Sequence, residues 1–166
     1  MSYAVYSTRG FILGSGPSGE ASKIYSIYTE DFGLIRAKAQ GVRLVQSKLR
    51  YSLDDYAFCA FSLVKGREVW RLTGAESVSM TGSDRASSRI RARILSLVRR
   101  LVQGEESNAA LFKALTALSS EVSPRETAVL AEALSALGYL DLDALQGKPE
   151  REVIHAINRA IHETQL

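Results

Sequence analysis

The sequence predicts an α+β chain: a small β-barrel over residues 1–80, then a small all-α domain over residues 83–166. Three observations predict this. Short strand signals separated by glycine turns fill the first part. Apolar residues at helical spacing, punctuated by cap and stop residues, fill the second. The composition shifts near Thr81-Gly82-Ser83, the expected boundary.

Taken in order, Gly10-Phe11-Ile12-Leu13 is an apolar strand that Gly14–Gly19 is expected to break as a hairpin loop. Lys23–Thr29 is rich in Tyr and Ile and reads as the next strand. Leu34–Gln40 alternates, with Leu34, Arg36, Lys38 and Gln40 facing one way and Ile35, Ala37 and Ala39 the other. Tyr56–Val64 is a longer apolar strand, and Gly66-Arg67 turns the chain into Val69–Thr73. Short strands joined in this way predict a barrel rather than an α/β sheet.

Helices follow. Ser83 or Asp84 caps a helix to about Val102, stopped by Gly104, with Ile90, Ile94, Leu97, Val98, Leu101 and Val102 as its apolar stripe. Ser107 caps a second helix through about Ser119. Ser123-Pro124-Arg125-Glu126 reads as a capping box with proline at the first helical position, opening a third helix that Gly138 closes. Asp141 caps a short turn. Pro149-Glu150 opens a last helix with Val153, Ile154, Ile157 and Ile161 inward.

At 166 residues the chain is long enough to bury a core, and 46% apolar with 23% charged residues is ordinary for a globular protein. Cys59 is the single cysteine, so neither an intrachain disulfide nor a cysteine-based zinc site can form. Its apolar setting predicts a buried, inert thiol. No signal segment appears, and no apolar run approaches the roughly 18 residues of a membrane span. The expected setting is that of a bacterial-type cytosolic protein, with no membrane contact.

The net charge is only +3, yet the positive charge is local. Between Gly33 and Leu53 stand Arg36, Lys38, Arg43, Lys48 and Arg50, with no carboxylate among them. Arg36 and Lys38 share one strand face about 7 Å apart, a pitch that can track successive phosphates. Arg43, Lys48 and Arg50 extend the track through a loop. An ordinary solvated face mixes charge signs, so an acid-free run points to phosphate. Tyr51, beside Arg50 in a polar stretch, is the best placed ring to stack on a base. Tyr25, Tyr28, Tyr56 and Trp70 are expected mostly in the core.

A second cluster lies on the first helix. Arg85, Arg89, Arg93 and Arg100 fall opposite its apolar stripe and form a cationic face for phosphate or an acidic partner. Arg91 falls inside the apolar arc. Three fates are open to it: snorkelling at the domain junction, pairing with a buried acid, or gripping an acidic peptide.

Other motifs carry less. Gly14-Ser15-Gly16-Pro17-Ser18-Gly19 matches G-x-G-x-x-G, but a strand rather than a helix follows, and Glu20 stands where a P-loop needs lysine. His155 and His162 are about 10.5 Å apart along one helix, too far to share a metal easily. Asp54-Asp55 point to opposite faces in an extended chain and make a poor acid–base couple. No Ser/His/Asp arrangement stands out. No catalytic residue, metal ligand or cofactor is expected.

With these residues laid out, the N-terminal part resembles the RecO family of bacterial DNA repair and recombination proteins. The matching text is Gly10-Phe11-Ile12-Leu13, Gly19-Glu20-Ala21, Tyr28 through Ala37, Gly41-Val42-Arg43, Ser47 through Arg50, Leu53 and Trp70 through Glu76. The helical part matches loosely, through Ala133–Tyr139. The resemblance implies an OB-fold followed by a helical domain. It implies binding of single- and double-stranded DNA, annealing of complementary strands and help in loading the recombinase RecA. The partners implied are RecR and the acidic tail of the single-stranded-DNA-binding protein. The family's basic OB residues fall here on Arg36, Lys38, Arg43, Lys48 and Arg50. The four zinc-binding cysteines of many relatives are absent, and the chain is shorter than usual in its C-terminal region.

The expected function is therefore a non-enzymatic, DNA-binding recombination mediator. The rivals are an RNA-binding OB-fold protein, an interaction module that holds an acidic peptide through its Arg-rich helix, and an enzyme using the Gly14–Gly19 segment.

Overall fold

The computed structural model describes residues 4–78, 85–120 and 125–164. The proposed caps Ser83, Asp84 and Ser123, together with Pro124 and the boundary at Thr81–Ser83, lie outside the described residues. The chain forms two compact units. One comprises Met1–Met80 with Val98–Ser107; the other comprises Thr81–Leu97 with Asn108–Leu166.

The first unit is a closed five-stranded barrel of β1 (Val5–Ser18), β2 (Ser22–Thr29), β3 (Gly33–Ala39), β4 (Phe58–Val64) and β5 (Trp70–Ser77). The strand order is β1-β2-β3-β5-β4, closed by β1 pairing with β4. The β3·β5 pair is parallel and the others are antiparallel. This is the OB-fold arrangement. Strand alternation builds the interior from Ile12, Tyr25, Ile27, Ile35, Ala37, Cys59, Phe61, Leu63, Trp70 and Leu72. Burial, together with Asp54, pushes the Cys59 thiol up to about 11. Its Sγ donates to the Ser52 carbonyl at 3.1 Å.

Two strand boundaries depart from expectation. The Gly14–Ser18 segment is not a loop: it continues β1 past a bulge at Leu13, pairing with Ser22–Ser26, and the turn comes only at residues 19–21. The physical reason is edge position. β4 reaches along β1 only to Phe11, so Pro17 has no second neighbour that needs its missing N–H. The segment opens no helix, so no dinucleotide loop exists there. At the other boundary, β4 begins at Phe58 rather than Tyr56. Tyr56 adopts φ 66°, a left-handed conformation that interrupts an extended strand.

Outward residues Phe11, Leu13, Tyr28 and Phe58 are also buried. Val98–Ser107, part of the same unit, runs beside this face. The Arg99 guanidinium donates to Leu13 O at 3.5 Å, and the Leu34 N–H donates to Gly104 O at 3.1 Å. Gly14 and Gly33 permit this approach: a Cβ on Gly14 would meet the Arg99 guanidinium, and one on Gly33 would meet the Glu106 backbone. Gly33 also has φ 65°, so its side-chain-free backbone is needed twice over. Trp70 Nε1 donates to Glu105 at 3.1 Å and packs with Tyr6 and Phe32.

The helices are α1 (Arg85–Leu101), α2 (Ala109–Ser120), α3 (Glu126–Ala136) and α4 (Glu150–Glu163), with a 3-10 turn at Asp143–Leu145. In the second unit α2 packs on α3, and α3 on α4. The cap of α2 is Asn108 rather than Ser107. Its Oδ1 accepts from Leu111 N–H at 2.9 Å, while its Nδ2 donates to Ala136 O, so one side chain ties two helices. α3 begins at Glu126, which therefore stands at the first helical position instead of the fourth residue of a capping box. Gly138, with φ 80°, ends it as expected. Asp141 Oδ1 accepts from the N–H of Asp143 and Ala144, capping the short turn. On α4 the buried pair is Ile157 and Ala160, while Ile154 is exposed. Ile154 lies near the edge of the apolar arc set by Val153, Ile157, Ala160 and Ile161.

Candidate nucleic-acid interface

The alternation on β3 positions the first cations. Gly33, Ile35, Ala37 and Ala39 are buried, Arg36 is exposed and Lys38 half-buried on the outer face. Pairing with β2 sets Ser26 opposite Arg36 and Ile24 opposite Lys38. These small or uncharged neighbours leave the two cations without a cross-strand carboxylate.

The parallel β3·β5 ladder adds Arg71, which pairs with Lys38 in register. Sequence reasoning missed Arg71. Its outward orientation was readable from the alternation of Trp70 and Leu72 inward. Its place beside Lys38 depends on a pairing between strands more than thirty residues apart.

Arg43 leaves the end of β3 in a loop that is tied down. The Gly41 N–H donates to Ser22 Oγ at 3.3 Å, and the Arg43 N–H donates to Ala21 O at 3.0 Å. This places the backbone of Arg43 against the β1–β2 turn. Lys48, Arg50 and Tyr51 stand on a 3-10 turn, Lys48–Tyr51, whose Leu49 packs against the barrel core. Tyr51 is 75% exposed, and the Arg50 guanidinium lies 5.3 Å from its ring centroid. Tyr25, Tyr28 and Trp70 are buried instead.

The run is not one continuous track. Lys48 lines a groove of about 550 Å³ with Ser7, Arg9, Glu30, Ser62 and Glu76, and no residue of β3 lines it. Arg9 in this groove is engaged by Glu30 through two 2.9 Å hydrogen bonds, which raise the Arg9 pKa. Among the described residues, no ion pair engages Arg36, Lys38, Arg43, Lys48 or Arg50.

The arginines of α1 have a different setting. Arg85, Arg89 and Arg100 are exposed. Arg93, expected on an acid-free face, forms an ion pair with Glu126, which comes from α3 rather than α1. Arg91 is 6% exposed, and its Nη2 donates to the Leu118 carbonyl at 3.3 Å, in the last turns of α2. A cation beside carbonyls at a helix C-terminus is a favourable placement. His155 and His162 are exposed on α4, and among the described residues no group of three or more His, Cys, Asp or Glu is placed to hold a metal. No helix among the described residues is long and apolar enough to cross a membrane.

The family described as "Recombination protein O N terminal" matches residues 1–81. The chain is similar to a DNA repair protein RecO of Dehalococcoides mccartyi, 28% identical over 148 residues, which covers 87% of this chain and 58% of that protein. It is also similar to the DNA repair protein RecO of Rubrobacter xylanophilus, 37% identical over 75 residues, covering 45% of this chain and 30% of that protein. A RecO from a second Dehalococcoides mccartyi strain is 29% identical over 120 residues, covering 70% of this chain and 47% of its own length. The chain thus spans less than two-thirds of the length of these relatives. The OB-type strand order and the basic outer face of β3 both fall within residues 1–81, the part of this chain that matches the RecO N-terminal family.

Proposed function

We propose that this chain is a DNA-binding mediator of repair and recombination that captures DNA phosphates on its barrel. The observation that carries the reading is the unpaired state of Arg36, Lys38, Arg43, Lys48 and Arg50 among the described residues, with Arg71 beside Lys38. The names of the relatives support the choice of DNA repair. Cations that meet DNA phosphates release bound counterions, which supplies much of the affinity and makes it salt-dependent. Neutralising phosphate on two strands lowers their repulsion and favours annealing with little regard to sequence. Binding of single- and double-stranded DNA and strand annealing are expected from this capture, and assistance in recombinase loading is proposed from the resemblance to RecO proteins. The role is not catalytic, and its setting is the cytoplasmic nucleoid.

RecR and the acidic tail of the single-stranded-DNA-binding protein are the proposed partners. Arg85, Arg89 and Arg100 are the exposed candidates for an acidic segment on α1. The test is an annealing assay on complementary strands coated with the single-stranded-DNA-binding protein, with and without its acidic tail, alongside a salt titration of strand binding. Lys48→Glu with Arg50→Glu is expected to weaken strand binding and flatten its salt slope. Unchanged affinity at low and moderate salt would remove those two residues from the interface. A strong preference for matched RNA would favour an RNA-binding role instead.

A further inference from the structure

The β3–β4 loop, residues 40–57, turns large apolar side chains outward. Val45 is 83% exposed, Leu44 47% and Tyr51 75%. One exposed leucine on a surface needs no explanation. Here the apolar groups are interleaved with Arg43, Lys48 and Arg50, with no carboxylate from Gln40 to Leu53.

The exposure follows from an anchored backbone. Val42 and Leu53 are buried in the barrel core, and Leu49 packs against it. Gly41, at φ 66°, starts two successive turns, with Leu44 N–H donating to Gly41 O and Ser47 N–H to Leu44 O, each at 3.0 Å. With Val42 fixed inward and the loop base bonded to Ala21 and Ser22, the chain lifts Leu44 and Val45 away from the barrel.

The chemistry of the patch selects its occupant. Its cations call for a polyanion. Its aliphatic tip and aromatic ring call for apolar or planar groups at the same place. A base-paired duplex offers phosphates but keeps its base faces stacked. An unpaired strand offers phosphates and free base faces side by side. We infer that the β3–β4 loop is a base-contacting clamp for unpaired DNA. Leu44, Val45 and Tyr51 meet unstacked bases while Arg43, Lys48 and Arg50 hold the flanking phosphates. This rests on the proposed DNA-binding function and deepens it, because it assigns strand preference to one loop and leaves β3 indifferent to pairing.

The experiment compares the full chain with Leu44→Ser/Val45→Ser, Tyr51→Ala and Tyr51→Phe, using a labelled oligothymidine and a duplex of equal length across a salt series. Trp70 fluorescence and circular dichroism check the fold. The serine pair is expected to weaken strand binding roughly tenfold with its salt slope unchanged, and to leave duplex binding within about twofold. Tyr51→Ala is expected to behave alike, and Tyr51→Phe to retain strand binding. Salt-dependent binding that the serine pair and Tyr51→Ala leave untouched overturns the clamp alone, as does equal loss on strand and duplex. Loss of binding to an acidic peptide with DNA binding intact overturns it too, in favour of a protein-docking loop. No salt-dependent binding of either DNA by the unsubstituted chain overturns the functional reading and the clamp together.

Discussion

The barrel run and helix α1 are comparably rich in cations, yet the fold engages part of the α1 set and none of the barrel set in ion pairs among the described residues. Along Gly33–Leu53 the cations reach solvent with no ion pair among the described residues. Along α1, Arg85, Arg89 and Arg100 are exposed, but Arg91 is buried on the Leu118 carbonyl, Arg93 is held by Glu126, and Arg99 donates to the Leu13 carbonyl at the bulge. Cationic density in a sequence therefore differs from cationic charge available to a ligand. The difference is made by what the tertiary structure brings alongside: uncharged Ile24 and Ser26 beside β3, but a carboxylate and helix-end carbonyls beside α1.

The strongest way to break this comparison is charge reversal on β3. Arg36→Glu/Lys38→Glu is expected to weaken oligothymidine binding by at least about a hundredfold at low salt and to reduce the salt slope by roughly 1.4. Its Trp70 fluorescence melt should match the unsubstituted chain, since neither side chain is part of the barrel core; affinity that does not change would place the interface elsewhere. Arg91→Ala should do the reverse. Removing a buried charged donor and stranding its carbonyl is expected to cost about 2–3 kcal/mol, read by denaturation followed by circular dichroism, with DNA affinity of the folded protein within about twofold. A strong loss of DNA affinity with stability intact would make Arg91 a ligand contact.

The buried thiol sharpens the contrast between units, because Cys59 and the single tryptophan both belong to the barrel. The folded thiol ionises at about 11 against an ordinary 9.0. Its contribution to stability is full below pH 9 and is lost as pH rises through 11, because only the unfolded chain ionises readily in that window. Roughly 2–3 kcal/mol should disappear across it. Cys59→Ala should flatten this part of the pH profile of unfolding followed by Trp70 fluorescence; an identical profile would refute the assignment. The smallest effect is expected of Arg93→Ala. Its ion pair is partly exposed, with side-chain exposures of 66% and 30%, and should be worth less than about 1 kcal/mol in equilibrium unfolding.

Much of the barrel was legible because burial on a strand has period two. Ile35, Ala37 and Ala39 announce their inward face, and Arg36 and Lys38 their outward one, without any knowledge of neighbours. The helix stop at Gly138 and the Asp141 cap are local in the same sense, each requiring only a few consecutive residues. Non-local facts were not legible. The continuation of β1 through Gly14–Ser18 depends on where β4 stops, and α2's cap at Asn108 depends partly on Ala136 across the unit. Arg71 was overlooked because only the β3·β5 ladder sets it beside Lys38.

By itself the sequence determined the succession of strands and helices, the inward set of the barrel and the acid-free run at Gly33–Leu53, because each follows from periodicity or composition within a short window. The tertiary structure alone decided that this run divides between the outer face of β3 and a groove holding Lys48, that Arg71 joins it, and that Leu44 and Val45 stand clear of the core. It also decided that Arg91 and Arg93 are internally engaged. These outcomes depend on strand pairing and helix packing across large separations in the chain, where the energies of burial and ion pairing are set by neighbours the local sequence does not name.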